Sequence, residues 1–325
     1  MTDVAAQLEV FRPELTGYCY RMLGSSFEAE DAVQDTMIRA WKGIDNFEGR
    51  SALRSWLYRI ATNVCLTMLG SAQRRVRPMD LGPAGSGTAT HGGEPRPEEI
   101  WVGPVPDERV LPEGTDPANL VAERESIRLA FVAALQLLPA KQRAVLILRE
   151  VLAWSAQEVA DLLGTSVAGV NSALQRARAT IAAADTGADL HQPLDAEQKA
   201  LLGRYVSAFE AYDLTALTAL LHEDAVLNMP PLPLWLRGTT DIRAWMSGAG
   251  IGCEGSRLLP VTANGLPAFA QYRRSTTGAG HDPWAIIVLE IHDGRIATVN
   301  NFLDNTFIRD APALFPLFGL PTHLP

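Results

Sequence analysis

The hydrophobic positions divide the chain into two helical stretches, a break between them and a C-terminal part with strands. Residues 6–77 follow a helical period that is interrupted only at Gly24–Ser26 and around Asp45–Ser51. Residues 124–184 return to the same period after residues 78–123, which hold many prolines and glycines. Because those residues cannot sustain a helix, we predict a linker there that is poorly ordered at its start.

The C-terminal part predicts helices first and strands afterwards. From Leu194 the helical segments are DAEQKALLGRYVSAFEAYD and LTALTALLHED, and the strand-like segments are AVLNMP, RLLPVT, AFAQYRR, WAIIVLEIH and RIATVNNFLD. The pairs Asn264-Gly265 and Asp293-Gly294 are strong signals for two-residue hairpin turns. The pattern therefore predicts an α+β domain with an antiparallel meander.

Local signals in residues 141–183 predict a helix-turn-helix. Ser155 and Glu158 have the spacing of a capping box, which starts a helix. Gly164 can adopt the positive φ that ends it, and Ser166 can cap the next helix. The residues that fall at helix-turn-helix positions are Ser155, Glu158, Ala160, Gly164 and Val170.

The second helix of this motif has a polar and basic face. Its members, with the cap, are Ser166, Ala168, Asn171, Ser172, Gln175, Arg176 and Arg178. Such side chains suit base edges and phosphates in a major groove. The alternative interpretation is a plain helical hairpin with a solvated polar face.

The segment EAEDAVQDTMIRAW predicts a helix with two distinct faces. Val33, Met37, Ala40 and Trp41 share the predicted core face, and Asp31, Gln34, Asp35 and Arg39 share the opposite one. Taken alone, a polar face of this kind is usually just solvated, and contact with a protein partner is the alternative.

The next segment, FEGRSALRSWLYRIATNVCLTMLGSAQRR, predicts a polar and aromatic loop followed by a helix. The side chains that we assign to DNA binding here are Phe47, Arg50, Ser51, Arg59, Asn63, Arg74 and Arg75. Aromatic, basic and amide groups in this arrangement suit unstacked bases and the phosphate backbone. For Trp56 we favour core packing.

The charge distribution permits nucleic-acid binding without demanding it. The net charge is −9, but residues 1–78 carry 10 basic and 9 acidic side chains and residues 124–184 carry 7 and 4. The acidity lies in residues 79–123 and 185–325. Three distant cysteines predict reduced thiols without a metal site, and the absence of a membrane-length apolar run or a signal peptide favours the cytoplasm.

Together, the two helical segments resemble the extracytoplasmic-function (ECF) RNA polymerase sigma factors. Residues 6–77 resemble sigma domain 2 and residues 124–184 resemble sigma domain 4, whereas residues 194–325 resemble the SnoaL-like or ketosteroid-isomerase-like cone fold. The linker segment IWVGPVPDERVL is similar to a Trp-Pro-Pro segment of members with an extra C-terminal domain. The predicted fold is thus two all-α sigma domains, the second a helix-turn-helix, and an α+β C-terminal domain.

The resemblance implies a function in promoter recognition and transcription initiation, with core RNA polymerase and promoter DNA as partners. The face with Asp31, Gln34, Asp35 and Arg39 would bind polymerase. The loop Asp45–Ser51 and the helix with Arg59 and Asn63 would hold the melted −10 element, and the helix from Ser166 to Arg178 would read the −35 element. It implies no cofactor and no membrane. Asn171 and Ala173 stand where family members often have basic residues, and Gly169 where they have a β-branched one, which predicts a weak or differently specific −35 contact.

We expect the C-terminal domain to enclose an apolar pocket and to regulate the sigma domains. Its predicted lining includes His222, Asp224, Met229, Trp235, Trp245 and Trp284. Three roles stay open for it: catalysis, sensing of an unidentified small-molecule ligand, and an intramolecular brace. For the whole chain the alternative to a sigma factor without enzymatic activity is a helix-turn-helix transcriptional regulator or a small-molecule enzyme of the ketosteroid-isomerase-like fold.

Overall fold

A computed structural model describes residues 2–47, 52–70, 75–111, 117–184, 195–304 and 313–325. The chain divides into two compact units. The first comprises Met1–Arg75 and Asp107–Leu190, and the second comprises Val76–Pro106 and His191–Pro325.

The first unit is helical throughout its described residues. Its helices are α1 Thr2–Glu9, α2 Arg12–Leu23, α3 Ser26–Gly43, α4 Leu53–Leu69, α5 Asp107–Val110, α6 Pro117–Ser126, α7 Leu129–Leu135, α8 Ala140–Leu146, α9 Ala156–Leu163 and α10 Val167–Ala182. The predicted break at Gly24–Ser26 is confirmed, because Gly24 ends α2 with a φ of 73° and Ser25 caps α3. A break between α1 and α2 was not predicted, and a proline in the first turn of α2 favours the restart there.

The predicted helix-turn-helix is confirmed as a fold by α9 and α10. The Ser155 hydroxyl accepts from the Glu158 amide at 3.2 Å, and the Glu158 carboxylate accepts from the Ser155 amide at 2.8 Å. Gly164 ends α9 with a φ of 62°, and Ser166 accepts from the Gly169 amide at 3.0 Å to begin α10.

Buried polar contacts join the N-terminal helices of this unit to the later ones. The Arg21 side chain on α2 is only 1% exposed and forms an ion pair with Glu123 of α6 at 2.6 Å. It also donates to the Ser126 hydroxyl at 2.6 and 3.0 Å, whereas Arg143 of α8 donates to the Met22 carbonyl. Because a buried guanidinium without partners is costly, these bonds favour one packed arrangement of the two sets of helices.

The second unit is a six-stranded sheet with helices. Its helices are α11 Ala196–Glu210, α12 Leu214–Ala219, α13 Thr239–Ser247 and α14 Leu314–Leu317, and its strands are β1 Leu221–Asn228, β2 Trp235–Arg237, β3 Arg257–Ala263, β4 Leu266–Arg274, β5 His281–His292 and β6 Arg295–Leu303. The strand order is β2-β1-β6-β5-β4-β3. The apolar faces of α11, α12, α13 and the sheet share one core.

The sheet is mixed, whereas the sequence predicted only an antiparallel meander. Strands β3 to β6 do form that meander, and both predicted turns are present, with positive φ at Asn264, Gly265, Asp293 and Gly294. Strand β1, however, pairs in parallel with β6. It begins at Leu221, so the residues His-Glu-Asp that follow belong to a strand and not to the end of a helix.

Residues 76–106, here called the strap, pack against the rest of the second unit. The expected disorder at the start of the linker is therefore not observed. The Gly85 amide donates to the Trp235 carbonyl at 2.8 Å, and the Gly87 amide donates to the Asp241 carboxylate at 2.7 Å. Near the far end, the Val105 amide donates to the Asn264 side chain at 3.1 Å. The sequence could not indicate these bonds, because their partners lie more than 130 residues away.

Candidate nucleic-acid interface and pocket

Helix α10 presents the predicted recognition face to the surface. Exposed residues on it are Ser166, Ala168, Asn171, Ser172, Gln175, Arg176 and Arg178, and the opposite stripe of Val170, Leu174 and Ala177 is buried. Arg178 forms an ion pair with Glu150 at 2.5 Å, and both side chains remain largely exposed. The arrangement leaves the amide, hydroxyl and guanidinium groups on one accessible surface.

The predicted −10 residues that the structure describes have different environments. Arg59 and Asn63 are exposed on α4, and the Phe47 ring packs against Trp56 at 5.1 Å between ring centroids. Arg50, Ser51 and Arg74 lie outside the described residues. Arg75 is buried and forms an ion pair with Glu28 at 2.6 Å. In this arrangement its guanidinium is therefore not accessible to DNA.

Helix α3 carries the predicted polymerase-binding side chains together with two apolar residues that sequence reasoning missed. Asp31, Gln34 and Arg39 are exposed, Asp35 is half-buried, and Arg39 forms an ion pair with Asp35 at 2.8 Å.

The two missed residues are Ile38, which is 44% exposed, and Trp41, which is 54% exposed. The assignment of Trp41 to the core face is therefore wrong. Trp41 lies seven residues after Gln34, which is about two helical turns along the same face, and this spacing was the available signal.

Helix α4 also contacts the helix-turn-helix segment within the first unit. The Tyr58 and Trp154 rings lie 5.1 Å apart between centroids, and the Arg54 guanidinium lies over both rings. Arg59 donates to the Asp161 carbonyl at 3.5 Å. Burial raises the pKa of the Tyr58 hydroxyl, so its side chain stays neutral in this contact.

The second unit holds an apolar pocket with about 580 Å³ of empty volume, including its open mouth. Aromatic, sulfur-containing and aliphatic residues make up most of its lining, which includes Tyr205, Phe209, Met229, Trp245, Met246, Cys253, Gln271, Trp284 and Asn301. Of the predicted pocket residues, Met229, Trp245 and Trp284 are among them.

The other three predicted pocket residues do not line it. His222 and Asp224 belong to β1 but are not among the lining residues: Asp224 is exposed, and the His222 ring lies 6.4 Å from the His292 ring between centroids. The Trp235 indole faces the strap and donates to the Gly82 carbonyl at 2.9 Å. These positions correct the sequence prediction, which took the end of LLHED for a helix.

Comparisons with known proteins agree with both units. Family models match Sigma-70 region 2 at residues 8–75, Sigma-70 region 4 at residues 128–181 and a SnoaL-like domain at residues 202–299. The ECF RNA polymerase sigma factor SigG of Mycobacterium tuberculosis is 45% identical over 99% of this chain and 85% of its own length. The chain belongs to the ECF RNA polymerase sigma factors.

A second relative of this sigma factor extends the similarity to a solved fold. The ECF sigma factor SigJ of Mycobacterium tuberculosis is 26% identical over 90% of this chain and 89% of its own length. The crystal structure of SigJ matches with a TM-score of 0.58 at 20% identity, covering 98% of this chain and 99% of that one. The likeness shows the same fold from the sigma domains to the C-terminal domain.

The function of this sigma factor is promoter recognition with core RNA polymerase. Region 2 spans α2 to α4, and region 4 spans α7 to α10. None of the helices in the described ranges is long and apolar enough to cross a membrane. Those ranges also hold no group of three or more His, Cys, Asp or Glu side chains that could bind a metal ion.

Proposed function

We propose that this sigma factor uses three separate surfaces in the cytoplasm. The exposed face of α10 reads the −35 element, the region from Phe47 through Arg59 and Asn63 holds the melted −10 element, and the α3 face binds core polymerase. The exposed amide and guanidinium groups of α10 support the first assignment, since they match base edges and phosphates. Ile38 and Trp41 add apolar contact area to the third.

Promoter binding requires the two halves of the first unit to separate. The −10 and −35 elements are about 25 base pairs apart, which is about 85 Å at about 3.4 Å per base pair. In this structure α4 contacts the helix-turn-helix segment through Tyr58 and Trp154. Both promoter elements therefore cannot be held at once until that contact breaks.

The strap is the segment of chain that must span the separated halves. It connects the sigma-2 helices to the sigma-4 helices, and its 31 residues reach about 100 Å when fully extended. Held along the second unit, it is far from that length. We propose that the C-terminal domain regulates transcription by holding the strap, and that release of the strap raises promoter output.

We propose no enzymatic role for the pocket. Among the described residues that line it there is no Asp, Glu or His. An isomerase-type reaction needs a general base placed beside the substrate proton. Asp224, the residue that sequence analysis considered for that task, is exposed and does not line the pocket.

The close approach of Gly87 to Asp241 carries the regulatory proposal and supplies its test. A Cβ at Gly87 would lie 2.1 Å from the Asp241 carbonyl oxygen, whereas a Cβ at Gly82 would meet nothing within 4 Å. Gly87→Ala therefore displaces the strap, and Gly82→Ala is its matched control. We expect faster proteolysis between residues 78 and 96 and a severalfold increase in promoter output in a reconstituted assay with Gly87→Ala, and neither change with Gly82→Ala.

Proteolysis measures release of the strap, and promoter output measures the effect of that release on transcription. Faster proteolysis in Gly87→Ala without a rise in output, at equal polymerase occupancy, would contradict regulation through the strap. The exposed change Asp224→Asn serves as a further control for the C-terminal domain and should leave both readouts unaltered.

A further inference from the structure

The pocket contains an amide oxygen that no group in the described part of the chain uses. Gln271 is 2% exposed and lines the pocket, and its Nε2 donates to the Ser256 hydroxyl at 3.0 Å. The single Ser256 proton is directed to the Cys253 carbonyl at 2.7 Å. Ser256 must therefore accept from Gln271, which fixes the amide orientation and leaves Gln271 Oε1 as an acceptor without a partner among the described residues.

A hydroxyl lies in the same part of the pocket. Tyr205 is 2% exposed, lines the pocket and stacks on Phe269 at 5.8 Å between ring centroids. Its hydroxyl has no hydrogen-bond partner among the residues that the structure describes. Burial raises the pKa of Tyr205, so the hydroxyl keeps its proton and can both donate and accept.

The sheet register places these two groups together and a third polar group farther away. Phe269 and Gln271 share a face of β4, so the ring of Tyr205 over Phe269 lies beside Gln271. Asn301 belongs to the row of Phe269 and lies two strands away, or about 10 Å. Its Nδ2 donates to the Asn228 carbonyl at 3.0 Å, so its oxygen is also an acceptor.

The lining of the pocket selects a neutral and planar ligand. The side chains of Phe209, Trp245 and Trp284 supply aromatic surface, and Met229 and Met246 supply adaptable thioether contacts. No Asp, Glu, Lys, Arg or His is among the described lining residues. A cationic ligand would lose its hydration there without gaining a carboxylate partner. The Arg273 guanidinium, which is outside the lining, lies over the Trp284 ring and donates to Cys253 Sγ at 3.2 Å, so it is already engaged with the pocket wall.

We infer that the pocket binds an uncharged aromatic alcohol, with its hydroxyl donating to Gln271 Oε1 and accepting from the Tyr205 hydroxyl. The aromatic rings and methionines of the lining contact its plane. Asn301 accepts from a second donor when the ligand carries one at its other end. This inference rests on the proposed role of the C-terminal domain and names a ligand class for it. Binding is measured on the free protein, in the absence of polymerase. The ligand inference and the strap proposal can therefore fail independently of each other.

Three naphthalene probes isolate the two hydrogen bonds. Naphthalene makes neither of them, 2-methoxynaphthalene can only accept, and 2-naphthol can donate and accept. Equilibrium dialysis of the full-length protein, read by the fluorescence of each probe, gives the three dissociation constants. We expect 2-naphthol to bind about fivefold to tenfold more tightly than 2-methoxynaphthalene, and the latter several-fold more tightly than naphthalene, as one neutral hydrogen bond per step provides.

Two conservative variants assign each step to one side chain. Gln271→Met keeps the side-chain volume and should abolish the difference between 2-naphthol and 2-methoxynaphthalene. Tyr205→Phe keeps the stacked ring and should abolish the difference between 2-methoxynaphthalene and naphthalene. Gln157→Met, a matched change at a residue that does not line the pocket, should preserve both differences.

Thermal melting verifies that each variant is folded, and either of the two pocket variants suffices for the test. Equal affinities for all three probes in the unaltered protein would overturn the inference. So would a preference for 2-naphthol that survives in Gln271→Met, because the acceptor would then lie elsewhere.

Discussion

At the scale of single residues, the capping box of α9 makes the start of the helix-turn-helix sensitive to acid. The hydrogen bonds of Glu158 to the Ser155 side chain and backbone hold the pKa of this carboxyl below its usual value of 4.5. A pKa that is lower in the folded state means that the ionised carboxylate stabilises the fold. That contribution is complete above pH 4.5 and is lost as the pH falls through the lowered pKa of the folded state.

We therefore expect Glu158→Gln to remove part of the acid sensitivity of α9. Amide hydrogen exchange in α9 should accelerate as the pH falls from about 5 to about 3 more in the unaltered chain than in Glu158→Gln, after correction for the intrinsic pH dependence of exchange. Glu197→Gln, a change at an exposed glutamate in the first turn of α11, is the matched control and should leave exchange in α9 unaltered. Identical pH dependence in Glu158→Gln and the unaltered chain would contradict the assignment.

Residues governed by local rules were predictable, and residues governed by distant partners were not. Asp293-Gly294 forms its turn because both positions adopt positive φ, a preference of these residue types that acts within the turn. Arg75 instead became a buried ion pair because Glu28, 47 positions earlier, lies beside it in the packed unit. A basic run at the end of a helix pattern gave no sign of that partner.

At the scale of elements, α3 combines charged and apolar groups on one exposed surface. Its ion pair between Arg39 and Asp35 borders Ile38 and Trp41, which are exposed although they are large and apolar. Tryptophan and arginine are enriched among residues that dominate binding energy at interfaces. The proposed polymerase-binding surface therefore has an apolar anchor beside its charges.

Trp41→Ala should weaken binding to core polymerase by about tenfold or more, since truncation of a central interface tryptophan costs about 2 kcal/mol. A competition assay against a labelled sigma factor measures this, and circular dichroism checks the helix content. Val10→Ala is the control, because Val10 is 76% exposed and lies outside α3. Equal polymerase affinities for the two variants would place the docking surface elsewhere.

The strands show the same division between local and distant causes. The hairpins β3-β4 and β5-β6 follow from turns of two residues, which the sequence displays directly. The parallel pairing of β1 with β6 joins Asn228 to Asn300, and nothing near either residue specifies it. His222, which the sequence pattern placed near the end of a helix, lies on this strand and does not line the pocket.

At the scale of the whole molecule, the sigma helices are packed in a state that, on the proposed mechanism, promoter binding must open. Arg21 with Glu123 and Tyr58 with Trp154 are contacts between region 2 and the part of the chain that contains region 4. Core polymerase and promoter DNA can shift this equilibrium only by binding the open state more tightly. Weakening the closed contacts should therefore raise the affinity for polymerase without touching its binding surface.

Trp154→Ala tests this linkage, because it removes the ring contact with Tyr58 and the cation–π contact with Arg54. Together such contacts contribute about 1–3 kcal/mol, so the open population should rise by about tenfold. Spin labels on Lys42→Cys and Ala179→Cys, in a Cys253→Ser background, report the distance between α3 and α10. We expect a larger fraction of molecules with a long label-to-label distance in Trp154→Ala, and also in the complex of the unaltered chain with polymerase. Trp56→Ala removes an indole that packs on Phe47, so it controls for the loss of a large ring and should leave the distance distribution unchanged. A distance that stays short when the unaltered chain binds polymerase would mean that the two sets of helices act as one body, and the requirement for opening would be wrong.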